Sequence, residues 1–311
     1  MISQVQPGTF SAVVLAYLAG DEFQQKAAMT QYNYRRLLDA ARDAFGDYPV
    51  EALKPMLIQT FLDGMKAKPG TQKNAKIALS AVQGWALRYG LIPYAYTIGT
   101  KTRKSDGGHK PWTDVEVALA EAHARSFVAR AVTLGNQTGQ RRSDLVRMTW
   151  GDLEVIDGRL GINVKQKKTG VEIWIPFTRE FAALIQTWKP AGVTPETTIL
   201  VNRVGEAFPS AKALSDAWNF ETAGKSVDGQ LLRPALAPLI GLHLHGLRST
   251  AVVRLLNAGA TTGQIRFMVG MSEQMVARYA RKGQQKKIAL EAISLLDGAP
   301  VSNVVPFKRE A

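Results

Sequence analysis

Residues 92–111 break the sequence pattern of this chain, and the break limits how the polypeptide can fold. Two prolines and three glycines lie in this segment, and residues of these types interrupt helices and strands. Four of its residues are basic and only Asp106 is acidic, which gives a net charge of +3. A spacer between two domains does not need such charge, whereas a segment that crosses a phosphate backbone does. The pattern therefore predicts two domains joined by a basic interdomain linker, whose cations are Lys101, Arg103, Lys104 and Lys110.

Ahead of this linker, residues 8–91 show the helical spacing of apolar residues that is typical of a small helical domain. The clearest helix lies at the end of the region. It follows Gly70 and Thr71, which indicate a loop and an N-cap. One face of this helix is predicted to be buried, and the opposite face is either solvated or set into a DNA groove. The predicted buried face comprises Ile77, Ala78, Ala81, Val82, Trp85, Ala86 and Tyr89, and the polar face comprises Lys73, Lys76, Ser80 and Gln83.

After the linker, residues 112–295 combine helical and strand patterns, which predicts an α+β domain. Alternating apolar residues on both sides of Lys168, Thr169 and Gly170 predict a β-hairpin. A C-terminal tail over residues 296–311 has two prolines and few helix formers, so we expect it to be extended. Helices are predicted over residues 117–134, 143–148, 181–188, 211–218, 247–256, 265–269 and 275–279.

The composition of the 311-residue chain narrows the possible partners. Its formal net charge of +13 favours an anionic partner, and we expect nucleic acid because no lipid-directed amphipathic segment accompanies the charge. The sequence contains no cysteine, which excludes disulfides, thiolate catalysis and cysteine-ligated zinc. Residues 1–10 contain no basic n-region and no long apolar core, and no apolar run of about 18 residues occurs in the sequence, so we expect a cytoplasmic protein without a membrane partner.

Some residues of the second region have the chemistry to break a phosphodiester bond without a metal. Negative charge accumulates on the nonbridging oxygens as phosphorus becomes five-coordinate, and a guanidinium can bind two of these oxygens at once. A phenol can act as the nucleophile, because a tyrosyl phosphate keeps the bond energy for religation without ATP. A lysine or histidine must then protonate the departing 5′ oxygen. His245, Arg248 and Tyr279 are candidates for these tasks.

Four sequence boxes follow one another in the second region. They are Thr138-Gly139-Gln140-Arg141 with Asp144, then Gln166-Lys167-Lys168-Thr169-Gly170, then His245-Gly246-Leu247-Arg248, and finally Val276-Ala277-Arg278-Tyr279. Each box is a weak signal alone, but the four in this order resemble the tyrosine recombinase (phage integrase) family. Residues 8–91 also resemble the SAM-like core-binding domain of that family, so the resemblance covers nearly the whole chain.

The resemblance implies how the scissile phosphate is bound and attacked. Arg141 and Arg248 correspond to the arginines that clamp the phosphate, and Tyr279 corresponds to the nucleophile. Asp144 matches an acidic residue that supports the active site in the family. For Asp144 the alternative is an ordinary surface pair with Arg141, three residues earlier on a helix.

Proton transfer is implied for two further residues. Lys168 stands in the place of the family's hairpin lysine and would be the general acid for the leaving hydroxyl. Lys165 and Lys167 lie close by and remain alternatives for that role. His245 would assist proton transfer or hold the phosphate.

The sequence departs from the family's pattern at Met271. The family usually has histidine or tryptophan here, and the interval to Tyr279 is one residue shorter than in its commonest pattern. Methionine cannot transfer a proton, but it can pack against the tyrosine segment as a flexible apolar side chain. We still expect activity, because the arginine clamp, the acid and the nucleophile are all present.

The resemblance also implies the architecture and the partners. The expected fold is two-domain and mainly α, with a core-binding domain over residues 8–91 and a catalytic domain of the DNA breaking-rejoining type over residues 112–295, clamped around a duplex. With only seven residues ahead of the first domain, we expect no separate arm-type DNA-binding domain. Predicted DNA contacts are Lys73, Lys76, Lys101, Arg103 and Lys104.

The function expected from the resemblance is site-specific DNA recombination, for a phage or another mobile element. The family implies double-stranded recombination sites as partners, a tetramer on DNA or an assembly with a second recombinase, and no cofactor. We expect the protein in a prokaryotic cytoplasm, at the nucleoid. Two alternatives remain: an accessory protein derived from a recombinase, and a non-cleaving regulator that binds DNA through a helix-turn-helix over residues 261–282.

Overall fold

The computed structural model describes residues 6–104 and 108–283, together with Ile293, Leu296 and Asp297. The chain separates into two compact units, Met1–Gly107 and Gly108–Ala311. The predictions for residues 105–107 and for the tail beyond Asp297 lie outside the described residues. Within the described parts, no helix is both long enough and apolar enough to cross a membrane.

The first unit consists of helices around one apolar core. Phe10 is fully buried in this core, with its ring centroid 4.8 Å from that of Phe45 and 6.2 Å from that of Tyr96. The helix that carries Phe10 begins after Thr9, whose hydroxyl accepts a hydrogen bond from Ala12 N at 3.4 Å. The helices are α1 (Phe10–Ala19), α2 (Asp21–Gln24), α3 (Ala28–Phe45), α4 (Pro55–Gly64) and α5 (Pro69–Arg88), with a short 3₁₀ helix at Val50–Ala52.

The predicted buried face of α5 is partly wrong. Ile77 and Tyr89, both predicted to be buried, are 44% and 67% exposed. Gln83, predicted on the polar face, is buried, and its Oε1 accepts a hydrogen bond from Thr97 N at 2.6 Å. Because this bond satisfies the amide oxygen, the helix can turn a polar residue to the core and leave Ile77 outside.

Helix α5 also begins earlier than predicted. It starts at Pro69, directly after Lys68, so Gly70 and Thr71 lie in its first turn rather than in a loop. Proline suits this position because its φ is fixed near the helical value and its missing N–H would have no helical partner there.

Residues 97–103, in the middle of the predicted linker, are fixed to the first unit by glutamine side chains. Three backbone N–H groups of this glutamine-held segment donate to glutamine Oε1 atoms: Thr97 to Gln83 at 2.6 Å, Lys101 to Gln59 at 2.7 Å and Arg103 to Gln72 at 2.7 Å. Just before the segment, Ile92 and Tyr96 are buried in the core of the first unit. The compact unit therefore extends beyond its predicted end at Leu91.

The second unit combines helices with a three-stranded antiparallel sheet in the order β1-β2-β3. The predicted fold class, mainly α with an α+β second domain, is confirmed. The elements are α6 (Asp114–His123), α7 (Ser126–Thr138), α8 (Arg142–Leu145), β1 (Leu153–Ile156), β2 (Arg159–Lys165), β3 (Glu172–Pro176), α9 (Arg179–Gln186), α10 (Ala211–Ala223), α11 (Gly246–Asn257), α12 (Thr262–Val269) and α13 (Glu273–Gly283), with 3₁₀ helices at Trp150–Asp152 and Pro234–Leu239.

The hairpin around Lys168 is confirmed as β2 and β3, with Ile162 opposite Ile175. Strand β1 was not predicted. It joins β2 through Asp157 and Gly158, whose φ angles of 50° and 72° both lie in the left-handed region. An Asp-Gly pair between two short apolar runs favours such a tight hairpin turn, and it was the signal available in the sequence.

The single helix predicted over residues 117–134 is two helices in the structure. Helices α6 and α7 are separated by an extended backbone at Arg125, with φ −59° and ψ 145°. The Arg125 N–H donates to Glu221 Oε2 at 3.0 Å, and its guanidinium pairs with the other carboxylate oxygen. Glu221 is buried, so its charge stabilises both the cation and the first turn of α7.

We expect Gln72→Leu to destabilise the first unit, because the Arg103 N–H loses its partner. The free energy of unfolding should fall by about 1–2 kcal/mol, measured by urea denaturation followed by circular dichroism. Gln25→Leu, at an exposed residue, is the matched control and should change stability by less than about 0.5 kcal/mol. Equal effects of the two substitutions would contradict a role for Gln72 in holding this segment.

Candidate active site

Arg141 follows a tight turn at the end of α7. Gly139 ends this helix with a φ of 63°, and a Cβ at Gly139 would lie 3.0 Å from Ala251 Cβ on α11. Glycine meets both the backbone and the space requirement. Arg141 then precedes the first turn of α8, with its side chain 21% exposed. The first sequence box is therefore a helix end packed against α11.

Arg248 lies in the first turn of α11, is 3% exposed and is held by backbone carbonyls. Its Nη1 donates to Gly139 O at 2.7 Å and its Nη2 to Gly270 O at 3.1 Å. Burial and the charge of Arg141 lower the pKa of Arg248 to about 10, so the guanidinium remains charged at neutral pH. Because carbonyls carry no full negative charge, this buried cation can still attract an anion.

Gln166 connects the arginines with the turn between β2 and β3. Its side chain is completely buried, and its Oε1 accepts hydrogen bonds from Arg141 Nη1 at 2.8 Å and Thr169 Oγ1 at 2.9 Å. Its Nε2 donates to Gln140 Oε1 at 2.8 Å and to Val269 O at 2.9 Å. Neither glutamine was predicted as a site residue, although both lie inside the sequence boxes that contain Arg141 and Lys168.

Asp144 has a fully buried side chain, which rules out an ordinary surface pair. Its Oδ1 accepts a hydrogen bond from Lys167 N at 2.9 Å. Its Oδ2 lies 3.9 Å from Arg141 Nη1 and has no hydrogen-bond partner in the described part of the chain. Asp144 therefore fixes the backbone of the turn that carries Lys168.

The three lysines of the hairpin differ in their contacts. Lys165 forms an exposed ion pair with Glu172, with 2.7 Å between Nζ and Oε1. Lys167 and Lys168 lie in the turn and are exposed. Their ammonium groups form no hydrogen bond or ion pair with any residue that the structure describes, so all their donors remain open to a ligand.

Tyr279 lies on α13, where it is partly buried against a small apolar cluster. Met271, in the position that departs from the family's pattern, is 7% exposed and belongs to this cluster. Tyr279 is also among the groups that raise the pKa of Arg248, which places the phenol within electrostatic reach of that guanidinium. The other members of the cluster are Val252, Ile265, Val269 and Val276.

His245 immediately precedes α11 and is uncharged at neutral pH. Burial lowers the pKa of His245 to about 4, and the charges of His109 and Arg248 contribute to the shift. The ring of His109 lies 5.1 Å from that of His245 and 4.9 Å from that of His243. Neither neighbour was predicted as a site residue. His109 lies in the predicted linker, and the spacing of two residues between His243 and His245 was the only sequence signal for a pair.

The predicted DNA contacts lie in the first unit, whereas the predicted catalytic residues lie in the second. Lys76 is partly buried, and its Nζ donates a hydrogen bond to Thr100 O within the glutamine-held segment. The exposed members of the predicted set are Lys73, Lys101, Arg103 and Lys104.

The fold is that of the tyrosine recombinase class. The sequence model of the phage integrase family matches residues 115–286, more than half of the chain. The chain therefore belongs to the phage integrase family.

Two integrases are similar to the chain in sequence. The integrase of Escherichia phage lambda is 31% identical over 172 residues, and that of Enterobacteria phage 434 is 32% identical over 172 residues. In each case the match covers 54% of this chain and 46% of the relative. The matched region thus spans about half the length of these relatives.

Solved structures with the same fold include complexes with DNA. A lambda integrase dimer bound to a COC′ core site has a TM-score of 0.69 at 23% identity, covering 87% of this chain and 77% of that one. A lambda integrase tetramer bound to a Holliday junction has a TM-score of 0.70 at 23% identity, with the same coverage of 87% and 77%. The Tn1549 transposon integrase in complex with transposon right end DNA has a TM-score of 0.65 at 16% identity, covering 93% and 99%. At these identities the likeness concerns the fold.

We expect Gly270→Ala to disturb the site, because its Cβ would lie 2.4 Å from Gln166 Nε2 at a φ of 64°. The free energy of unfolding should fall by about 2–4 kcal/mol, from backbone strain together with broken buried hydrogen bonds. Gly158→Ala is the matched control, since its φ is 72° and nothing lies within 4 Å of the added Cβ. Its free energy of unfolding, measured by urea denaturation, should fall only by the cost of the backbone strain, about 1–2 kcal/mol. If the free energy of unfolding falls equally in both variants, the Gln166 side chain moves aside without cost and the prediction is wrong.

Proposed function

We propose that this protein is a site-specific DNA recombinase of the integrase type, which cleaves and rejoins DNA through a 3′-phosphotyrosyl intermediate. The observation that carries the proposal is the buried guanidinium of Arg248, held by carbonyls beside Arg141 and within electrostatic reach of Tyr279. Two cations and a phenol in one place suit a phosphate that a tyrosine attacks. Membership of the phage integrase family supports the same assignment.

In the proposed cleavage, the Tyr279 oxygen bonds to the scissile phosphorus while the bond from phosphorus to the 5′ oxygen breaks. Arg141 and Arg248 stabilise the charge on the nonbridging oxygens. We assign the phenol's proton to the neutral imidazole of His245, directly or through water. The departing 5′ oxygen takes a proton from the Lys168 ammonium. Religation reverses these steps with a 5′ hydroxyl as nucleophile, so the phosphotyrosyl bond supplies the energy.

Lys168 is favoured as the acid by the contacts of the hairpin. Lys165 is paired with Glu172 on the neighbouring strand. The turn that carries Lys168 is held at two points by residues that also contact Arg141. Asp144 accepts a hydrogen bond from Lys167 N, and Gln166 accepts one from Thr169 Oγ1. A lysine on an anchored turn with an unpaired ammonium can be directed at a bound phosphate, and Lys167 remains the alternative.

DNA binding and assembly form part of the proposal. The net charge of +13 and the exposed cations of the first unit support binding to duplex DNA. Lambda integrase, which has the same fold, forms a tetramer on a Holliday junction. We propose a tetramer of the same kind here, alone or with another recombinase, acting for a phage or other mobile element at a prokaryotic nucleoid.

We expect the wild-type protein to become covalently attached to DNA and Tyr279→Phe to remain unattached, because phenylalanine lacks the attacking oxygen. Duplexes that bind Tyr279→Phe are first selected from a random-sequence pool and then nicked beside the site, so that a cleaved strand is trapped. The covalent complex is measured on a denaturing gel. Tyr89→Phe, at a tyrosine that is 67% exposed, is the matched control and should give the wild-type yield.

Two outcomes would contradict parts of this proposal. A wild-type protein that binds a selected duplex but never becomes attached would be a DNA-binding regulator or accessory protein. A covalent complex that persists in Tyr279→Phe would remove Tyr279 as the nucleophile.

We expect Lys168→Met to slow formation of the covalent complex by about 10²-fold or more, because the departing oxygen loses its acid. A duplex with sulfur in place of that 5′ oxygen should restore the rate, since a thiolate leaves without a proton. Lys165→Met, at the paired lysine of the same hairpin, is the matched control and should stay within a few-fold of wild type. A loss that sulfur does not restore would exclude Lys168 as the acid, and a sulfur-restored loss in Lys167→Met would give the role to Lys167.

A further inference from the structure

A second group of basic side chains lies beside the candidate active site. It consists of His109, His243 and Arg142, and we call it the imidazole cluster. The ring of His109 lies 4.9 Å from that of His243 and 5.1 Å from that of His245. Arg142 lowers the pKa of both His109 and His245 by its charge, and its guanidinium donates to Ser215 Oγ. The mechanism proposed above gives none of these three residues a role.

The chain holds His109 in place by anchoring the residues that follow it. The Trp112 N–H donates to Thr250 Oγ1 at 2.7 Å, and Trp112 Nε1 donates to His243 O at 3.1 Å. Gly246 allows this close approach, because a Cβ there would lie 2.8 Å from the Trp112 ring. His109 is thus carried by a stretch that is packed onto the first turn of α11.

The charges around the cluster are all positive. Burial lowers the pKa of His109, and the charges of His243 and Arg142 lower it further. No carboxylate in the described part of the chain contributes to the shift of His109 or of His245. The rings do not form a metal site, since among described residues no three histidine or acidic side chains are grouped to hold an ion. Basic groups gathered around an arginine without a counter-charge favour an anionic ligand.

We propose that His109, His243 and Arg142 bind a second DNA phosphate, the one next to the scissile phosphate on the same strand. This inference rests on the proposed function, because it takes the scissile phosphate to lie at Arg248. The ring of His109 lies 5.1 Å from that of His245, which the proposed cleavage places at the attacked phosphate, so a ligand at His109 lies beside that phosphate. His109 and His243 are exposed, so a phosphate can reach them.

Binding of this phosphate takes up a proton at His109. In the free protein the pKa of His109 lies below its usual value, so the ring is mostly neutral at pH 7. A phosphate oxygen favours the charged form of His109 and raises its pKa, which opposes the effects of burial and of the Arg142 charge. The contribution of His109 to DNA affinity therefore grows as the pH falls from 8 to 6.

The first test measures how DNA affinity depends on salt, in the Tyr279→Phe protein with a random-sequence duplex. We expect His109→Gln and His243→Gln each to reduce the slope of log affinity against log salt by about one unit at pH 6, and His109→Gln to reduce it less at pH 8. Glutamine keeps a polar side chain but cannot take up a proton. His123→Gln, at an exposed histidine on α6, is the matched control and should leave the slope unchanged.

The second test uses the wild-type chain and inorganic pyrophosphate. The protein has only four histidines, so the His109 imidazole resonance can be identified as the one missing in His109→Gln. We expect pyrophosphate to raise the pH at which this resonance titrates by about one unit, which corresponds to tenfold tighter binding to the charged ring.

The outcomes separate this inference from the proposed function. Unchanged salt slopes would overturn it, whether or not pyrophosphate moves the His109 resonance, because the cluster would then contact no DNA phosphate. An unmoved resonance would overturn the anion site itself. If the slopes and the resonance change as expected but no covalent complex ever forms, the cluster binds DNA in a protein that does not cleave it.

Discussion

The burial of the Arg248 guanidinium is the constraint on which the second unit depends. A buried charge is costly unless it is hydrogen-bonded, and here the partners are the carbonyls of Gly139 and Gly270. These carbonyls follow the ends of α7, which is distant in sequence from α11, and of α12, the next helix after α11. Gln166 adds the turn after β2 to the same network. The phosphate site and the packing of four chain segments are therefore stabilised by the same bonds.

The residues expected at the site could be selected from the sequence because the chemistry restricts their types. Arginine suits the binding of two phosphate oxygens at once, and a hydroxyl such as that of Tyr279 can attack the phosphorus. The connections between these residues could not be predicted in the same way. Gln140 and Gln166 have ordinary polar side chains, and only the folded backbone shows that each finds its partners in the interior. His109 was missed because its contact with His245 spans more than a hundred residues.

The errors in the predicted fold have a common physical origin. Periodicity assigns polar residues to the surface, but a polar residue with a backbone partner can be buried at little cost. Gln83 is such a residue, and its burial turns α5 so that Ile77 is exposed. The buried Glu221 also overrides the local pattern. It accepts a hydrogen bond from Arg125 N at the point where the helical pattern is interrupted between α6 and α7. In both places an interaction with a remote segment overrides the local pattern.

The path of the glutamine-held segment does not depend on which side chains the segment carries. Its glutamine contacts are made to backbone atoms of Thr97, Lys101 and Arg103, and every residue except proline offers such an N–H. Substitutions at positions 101 and 103 can therefore alter the charge of the segment while its course over the first unit is preserved. Related chains can thus differ in their affinity for an anionic partner while the backbone of the segment keeps the same position.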